Sequence, residues 1–226
     1  MNYSSIKSYA KINLALNVTG KTSGLHQIES IIGFVSLHDV ILIKKINSKK
    51  HIISFNGKYS KNIYKKNTIS ELLKILEKEK LLTGHRFEIK VKKHIPLKSG
   101  LGGGSMNAAN ILKYLIKKKF INPSKRQLIP ICKSIGSDVA LGLNSTFTVL
   151  KSNNRIKEFK NCKKFYTLIV KPGFGCSTKE IYSGVKKFSK PKFSKASKKM
   201  ISFDYLKKLD NSLEAISLSK FPKLKN

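Results

Sequence analysis

The sequence predicts an α+β fold, because strand and helix patterns are interspersed and hairpins dominate the first part of the chain. Residues 9–18 alternate apolar and polar side chains with a period of two, which is typical of a half-buried strand. Residues 69–76 instead carry apolar side chains at helical spacing. With 226 residues, of which 40% are hydrophobic, the chain is long enough for one large domain or two small ones.

The first predicted strand, residues 9–18, has one apolar face and one polar face. The polar face bears Lys11, Asn13 and Asn17, so these three side chains point away from the predicted core. Two more strands are expected at residues 28–35 and 40–46.

The remaining elements are predicted from caps, breakers and periodicity. They are a helix capped by Asn67 and closed by Gly84, a strand at 87–91, a helix capped by Ser105, a helix capped by Ser124 that Pro130 shortens or kinks, and a strand pair at 147–150 and 166–170. A change in composition near residues 151–160 predicts two domains, 1–152 and 153–226.

The charge of the chain is strongly positive, with 46 Lys and Arg against 12 Asp and Glu, which gives a formal net charge of +34. Such a charge raises the hypothesis of an RNA-binding protein. However, nearly all the basic residues are lysines scattered through every segment, whereas nucleic-acid recognition favours the bidentate arginine fork. We therefore expect no specific nucleic-acid partner.

Other features indicate a cytoplasmic protein. No run of eighteen apolar residues provides a membrane span, and the alternating N-terminus does not resemble a signal peptide. Three widely spaced cysteines without a CxxC pair are expected to be reduced thiols. The histidines show no metal-ligand spacing, so no protein metal site is expected.

The stretch SGLGGGSMNAANIL, residues 99–112, places four glycines in five positions directly before a predicted helix. A flexible linker would instead join two independent segments. Here a strand precedes the loop and a helix follows at once, so backbone N–H groups and the positive end of the helix converge on one point. Glycines let the backbone approach phosphate oxygens closely. The sequence thus predicts a phosphate site, although it has neither the GK[ST] end of a Walker A motif nor a GxGxxG fingerprint.

The order P-x3-GLGGGS-x-x-AA resembles the nucleotide loop of the GHMP kinase superfamily, which phosphorylates small metabolites. Four other segments resemble one branch of that superfamily, in the same order along the chain: AKINLALNVTGKTSGLHQIES, IGSDVALGL, KPGFGCSTKEIY and LDNSLEAI. The resemblance implies a domain like the second domain of ribosomal protein S5, followed by a ferredoxin-like domain. It also implies ATP as co-substrate, Mg²⁺ carried by the nucleotide, and 4-diphosphocytidyl-2-C-methyl-D-erythritol as the acceptor.

By this resemblance, Lys11 and Asp138 form the catalytic pair. The chemistry needs both residue types: a carboxylate accepts the proton of the acceptor hydroxyl, and a lysine stabilises the developing alkoxide. The resemblance assigns the nucleotide to Asn67, Pro96, Leu97, Lys98, Ser99, Gly100, Leu101, Gly102, Gly103, Gly104, Ser105 and Met106. It assigns the acceptor to Asn13, Leu25, His26, Thr178 and Tyr182.

The chain departs from the family pattern at several positions. Leu25 stands where an aromatic ring is usual, Met106 where a serine is usual, and Ala140 where a proline is usual. The family also continues past the helix of LDNSLEAI to another glycine-rich segment, so we expect an incomplete second domain and weak nucleotide binding. A different GHMP kinase, acting on homoserine, mevalonate or a sugar, is the main alternative.

Overall fold

The computed structural model describes residues 2–22 and 24–225. Six strands and six helices follow one another in an α+β arrangement, which confirms the predicted fold class. The strands are β1 (Ser4–Thr22), β2 (Leu25–Ile46), β3 (Ile52–Asn56), β4 (Arg86–Lys92), β5 (Phe147–Leu150) and β6 (Ile156–Phe159). The helices are α1 (Thr68–Lys78), α2 (Gly103–Lys117), α3 (Lys125–Ile135), α4 (Thr178–Ser183), α5 (Phe203–Leu206) and α6 (Glu214–Lys220).

The chain forms two compact units, to both of which β1 and β2 contribute residues. Unit 1 contains the residues up to Ala10 together with Val35–Leu97 and Leu101–Ser145. Unit 2 contains Lys11–Phe34, Lys98–Gly100 and the residues from Thr146 onward. The division into domains 1–152 and 153–226 stays a prediction.

In unit 1, β4 pairs antiparallel with β2 and parallel with β3, so that Ile89 lies opposite both Ile43 and Ile53. The alternation of Phe87, Ile89 and Val91 places all three side chains in the core. Helices α1, α2 and α3 cover this face of the sheet with their own apolar stripes.

In unit 2, β5 pairs antiparallel with both β2 and β6, with Ile31 opposite Val149. Ile31 and Val149 belong to a second core that also contains Phe193 and Met200 from the C-terminal part of the chain. Buried Glu29 fixes that part of the chain to the sheet, because its carboxylate accepts the backbone N–H groups of Lys192 and Phe193.

Several predicted elements are confirmed, and the predicted end of α1 was wrong. Asn67 caps α1 through a capping box with Ser70. Ser124 caps α3 in the same way, and the helix continues past Pro130. Helix α1 ends at Lys78 rather than near Gly84. The chain leaves this helix with Lys80 at a positive φ of 55°, a turn conformation that the lysine adopts before any glycine is reached.

The strand predictions were wrong in three places. The two strands expected at 28–35 and 40–46 are one continuous strand, β2, and β3 was missed. The strand expected at 166–170 does not form among the described residues, and Tyr166, Leu168 and Val170 are exposed. Strand β6 pairs with β5 instead. A strand-like sequence forms a strand only where a neighbouring strand accepts its hydrogen bonds.

Candidate active site

Helix α2 begins at Gly103, three residues before the point that a Ser105 N-cap would give, so that prediction was wrong. Gly102 is the N-cap and adopts a left-handed conformation with φ of 68°, which lets the chain turn directly into the helix. No described side chain caps this end of the helix. The N–H groups of the first turn therefore remain directed out of the helix end, where their partial positive charge suits an anion.

The glycines after Gly102 allow the loop to lie closely against the rest of unit 1. A Cβ atom at position 103 would lie 3.0 Å from Ile95 Cγ2 and 3.3 Å from Lys93 Nζ. Gly104 lies beside Thr68, whose hydroxyl donates a hydrogen bond of 2.8 Å to the Gly104 carbonyl. The small residues thus fix the start of α2 against the end of β4 and the start of α1.

A buried polar network lies directly behind this loop. The Asp39 carboxylate is fully buried and forms an ion pair with Lys93, which is 2% exposed. The same carboxylate accepts the backbone N–H groups of His94 at 2.8 Å and Ile95 at 2.9 Å, and the side-chain amide of Asn107 at 3.0 Å. The Asp39 carboxylate therefore connects the chain that follows β4 to the second turn of α2.

The segment that contains Asp138 packs against the same helix. A Cβ atom at Gly136 would lie 3.5 Å from Ser105 Oγ, and one at Gly142 would lie 2.6 Å from Ala109 Cβ. Asp138 itself is half-buried and lies between α3 and the short 3₁₀ turn of residues 140–143. The predicted base thus belongs to a segment that contacts the first turns of α2.

Lys11 lies on β1 in unit 2 and is only 7% exposed. Its ammonium group donates a hydrogen bond of 2.7 Å to Asn13 Oδ1, so the two side chains share one face of the strand, as predicted. The expectation that this face points away from the core was wrong, because Lys11 and Asn17 are both buried. Asp138 belongs to unit 1. The catalytic pairing of Lys11 with Asp138 therefore stays a prediction.

The structure brings two of the predicted acceptor residues together in unit 2. The rings of His26 and Tyr182 have centroids 5.1 Å apart and an interplanar angle of 36°. Leu25, next to His26, is 77% exposed. Thr178 is the first residue of α4, the helix that carries Tyr182, and Ser177 caps this helix. The arrangement leaves an exposed leucine beside an aromatic pair.

The remaining predicted nucleotide residues lie in three places. Residues 96–101 form the connection between β4 and α2, in which Lys98 and Gly100 have positive φ angles of 53° and 73°. Both ends of the Asn67 amide are engaged in capping α1 and in bonds to the Tyr64 and Lys65 carbonyls. The Met106 side chain is buried next to Gly142. The roles of these residues in nucleotide binding stay predictions.

Comparison with known proteins identifies the family. Residues 67–150 match the family model described as GHMP kinases N terminal domain. The chain is 57% identical over 225 residues to 4-diphosphocytidyl-2-C-methyl-D-erythritol kinase from Pelagibacter ubique (strain HTCC1062), an alignment that covers 100% of this chain and 80% of that protein. The chain belongs to the 4-diphosphocytidyl-2-C-methyl-D-erythritol kinase family. A protein of the same name from Caldicellulosiruptor bescii is 33% identical over 227 residues, which cover 96% of this chain and 78% of that one.

A solved structure supports the same fold for this family member. The crystal structure of a 4-(cytidine 5'-diphospho)-2C-methyl-D-erythritol kinase superposes with a TM-score of 0.73 at 23% identity, and the match covers 98% of this chain and 80% of that one. At this identity the likeness concerns the fold. It confirms the predicted GHMP kinase fold.

In this member of the 4-diphosphocytidyl-2-C-methyl-D-erythritol kinase family, the substitution Gly103→Ala is expected to weaken ATP binding about tenfold, because an overpacked site costs about 1–3 kcal/mol. The added methyl group would require Ile95 and the start of α2 to move apart by a few tenths of an ångström. Isothermal titration with a non-hydrolysable ATP analogue measures the effect. Gly173→Ala is the matched control, since a Cβ atom there would meet nothing within 4 Å. Equal affinities for the two variants would contradict the claim that position 103 requires a glycine for close packing of the loop.

Sequence reasoning missed the residues that support the loop. Asp39 lies in the gap between the strands predicted at residues 28–35 and 40–46, yet it continues β2 and its buried carboxylate accepts backbone hydrogen bonds. One signal could have located its partner. The period of two that runs through Phe87, Ile89 and Val91 continues past the end of β4 to Lys93 and Ile95, which are both buried.

The described part of the kinase chain shows three further features. No three His, Cys, Asp or Glu side chains among residues 2–22 and 24–225 gather in a way that could hold a metal ion. None of the helices described there is both long and apolar enough to cross a membrane. The three cysteines are free, and burial raises the pKa of the Cys132 thiol to about 11, so this thiol stays protonated.

Proposed function

We propose that the chain transfers the γ-phosphoryl group of ATP to the 2-hydroxyl group of 4-diphosphocytidyl-2-C-methyl-D-erythritol. The observation that carries this proposal is the 57% identity, over the whole of this chain, to a kinase named for that substrate. The uncapped, glycine-lined start of α2 supports it independently, because it is suited to the phosphates of a nucleotide. A homoserine or mevalonate kinase is not favoured, since both relatives described above carry the name 4-diphosphocytidyl-2-C-methyl-D-erythritol kinase.

We propose that the nucleotide phosphates bind at the start of α2, on the N–H groups of residues 102–105. ATP supplies the phosphoryl group, and Mg²⁺ arrives with the nucleotide and offsets the charge of its phosphates. The buried Asp39 network supports this assignment, because it fixes the loop before any ligand binds. A preorganised loop avoids the entropy cost of becoming ordered when the nucleotide binds.

For the chemical step, we propose that Asp138 accepts the proton of the acceptor hydroxyl while that oxygen forms its bond to phosphorus and the bond to the ADP oxygen breaks. Lys11 stabilises the negative charge on the attacking oxygen. The hydrogen bond from Lys11 to Asn13 supports this role for the lysine, because it restricts the position of the ammonium group.

For acceptor binding, we propose that His26 and Tyr182 recognise the cytosine base, the histidine through hydrogen bonds and the tyrosine through its ring face. The 5.1 Å distance between the two ring centroids supports this proposal, since it places a polar ring and a stacking ring side by side. Leu25 offers an apolar contact where a second ring is usual, which gives up about 1–3 kcal/mol of stacking.

The free cysteines also support a cytoplasmic location, where thiols stay reduced.

The test of this function is a kinase assay of the 226-residue chain with ATP, Mg²⁺ and 4-diphosphocytidyl-2-C-methyl-D-erythritol, followed by ³¹P NMR. The proposal expects equal amounts of ADP and a 2-phosphate product. It also expects kcat/KM at least about 100-fold above the values for homoserine and mevalonate. These smaller acceptors would leave the polar groups of the acceptor site without hydrogen-bond partners. Preference for another acceptor, or no product at all, would contradict the proposal.

A further inference from the structure

We infer that Ser30 is a positioning residue for Lys11 and acts through the side-chain amide of Asn13. All three residues lie in unit 2, Lys11 and Asn13 on β1 and Ser30 on β2. The inference rests on the proposed catalytic role of Lys11. Ser30 is fully buried in the sheet, and by this inference the orientation of Lys11 depends on it.

The Ser30 hydroxyl determines which end of the Asn13 amide faces it. Its single proton is donated to the Ala15 carbonyl over 2.6 Å, so the oxygen is left to accept a hydrogen bond. Asn13 Nδ2 donates that bond over 2.7 Å. The amide is thereby held with its nitrogen toward Ser30 and its oxygen in the opposite direction.

The oxygen end of the amide meets the catalytic lysine. Asn13 Oδ1 accepts a hydrogen bond of 2.7 Å from Lys11 Nζ, on a side chain that is 7% exposed. If the amide rotated by half a turn, its Nδ2 donor would face the ammonium group, and two donors would repel each other. The Ser30 hydroxyl prevents this rotation and so holds a cation in place before the reaction begins, which is how preorganised groups stabilise developing charge.

The direct test compares the steady-state kinetics of three variants. Ser30→Ala is expected to lower kcat at least about tenfold, with KM for ATP unchanged within about twofold, because only the orientation of Lys11 is lost. Ser30→Thr keeps the hydroxyl and is expected to retain most of kcat. Thr148→Val is the matched control: it removes another buried hydroxyl of unit 2, one that bonds only to the Thr146 carbonyl among the contacts described, and it is expected to leave kcat unchanged.

A double-mutant cycle separates positioning from general destabilisation. In an Asn13→Ala background the amide is gone, so adding Ser30→Ala is expected to change kcat by less than about twofold. A further tenfold loss in that background would overturn the inference, as would equal losses in Ser30→Ala and Thr148→Val.

A measurement without turnover distinguishes failure of this inference from failure of the proposed function. The ¹H–¹⁵N signal of the Lys11 ammonium group, assigned with Lys11→Met, is expected in the wild-type chain and in Ser30→Thr, where hydrogen bonding slows exchange with water. It is expected to weaken in Ser30→Ala. If the wild-type chain shows no kinase activity, the proposed function fails and this signal alone decides the inference. An undiminished signal in Ser30→Ala would overturn it.

Discussion

The substitution Asp138→Asn is expected to lower kcat by about 10²- to 10⁴-fold, because it removes the proposed general base while keeping the size of the side chain. Asparagine cannot accept the proton of the acceptor hydroxyl, so the attacking oxygen stays a weak nucleophile. The affinity for ATP is expected to change by less than about threefold, since the phosphates are assigned to backbone groups of the glycine loop. Steady-state kinetics and titration with an ATP analogue measure the two effects separately.

The control for this prediction is Asp204→Asn. Asp204 is 84% exposed and pairs with Lys207 on the same helical turn, so its loss removes a negative charge with little structural effect. This variant is expected to keep the wild-type kcat. An Asp138→Asn variant with unchanged turnover would show that another group accepts the proton.

The substitution Asp39→Ala is expected to destabilise the protein by about 3–5 kcal/mol, because it leaves the Lys93 ammonium group buried without its anion. It also removes the acceptor of the His94 and Ile95 N–H groups and of the Asn107 amide. Urea denaturation measures the free energy of unfolding. Lys93→Met is expected to lower the free energy of unfolding by less than Asp39→Ala does, since the Asp39 carboxylate would keep three hydrogen-bond donors.

Two comparisons sharpen this prediction. The double variant Asp39→Ala with Lys93→Met is expected to be more stable than Asp39→Ala alone, because no buried charge remains unpaired. Asp204→Ala removes an exposed ion pair and is expected to cost less than about 0.5 kcal/mol. A loss below about 1 kcal/mol for Asp39→Ala would mean that water reaches Lys93 and that the network does not fix the loop.

The sequence predicted correctly that a glycine loop lies between a strand and a helix, whereas its predictions for the sheet were less accurate. The glycine loop was recognisable because glycines between a strand and a helix have few purposes other than close backbone approach. The start of α2 was nevertheless placed at Ser105, because a serine is a common N-cap. The left-handed Gly102 takes that position without a side-chain cap, a choice that only the surrounding packing reveals.

Long-range partners explain the other failures. Residues 166–170 have the composition of a strand, but composition does not say whether another strand lies beside them. An aspartate inside a predicted sheet favours a break between strands, but Lys93, 54 positions away, neutralises the Asp39 carboxylate within β2. Ser30 was unremarkable as a residue of an apolar run, and its bond to Asn13 depends on how β1 and β2 meet. The local sequence pattern around a residue does not show which distant residue it will contact.

The central claim is that the loop from Pro96 to Ser105 holds the ATP phosphates and directs the γ-phosphoryl group toward Lys11 and Asp138. A crystal structure of the chain with a non-hydrolysable ATP analogue and the cytidine-diphosphate acceptor tests it most directly. The account predicts phosphate oxygens within about 3 Å of the backbone nitrogens of Gly102 to Ser105. It also predicts the acceptor hydroxyl within hydrogen-bond reach of the Asp138 carboxylate. A nucleotide bound away from the start of α2, or an acceptor hydroxyl out of reach of both side chains, would contradict it.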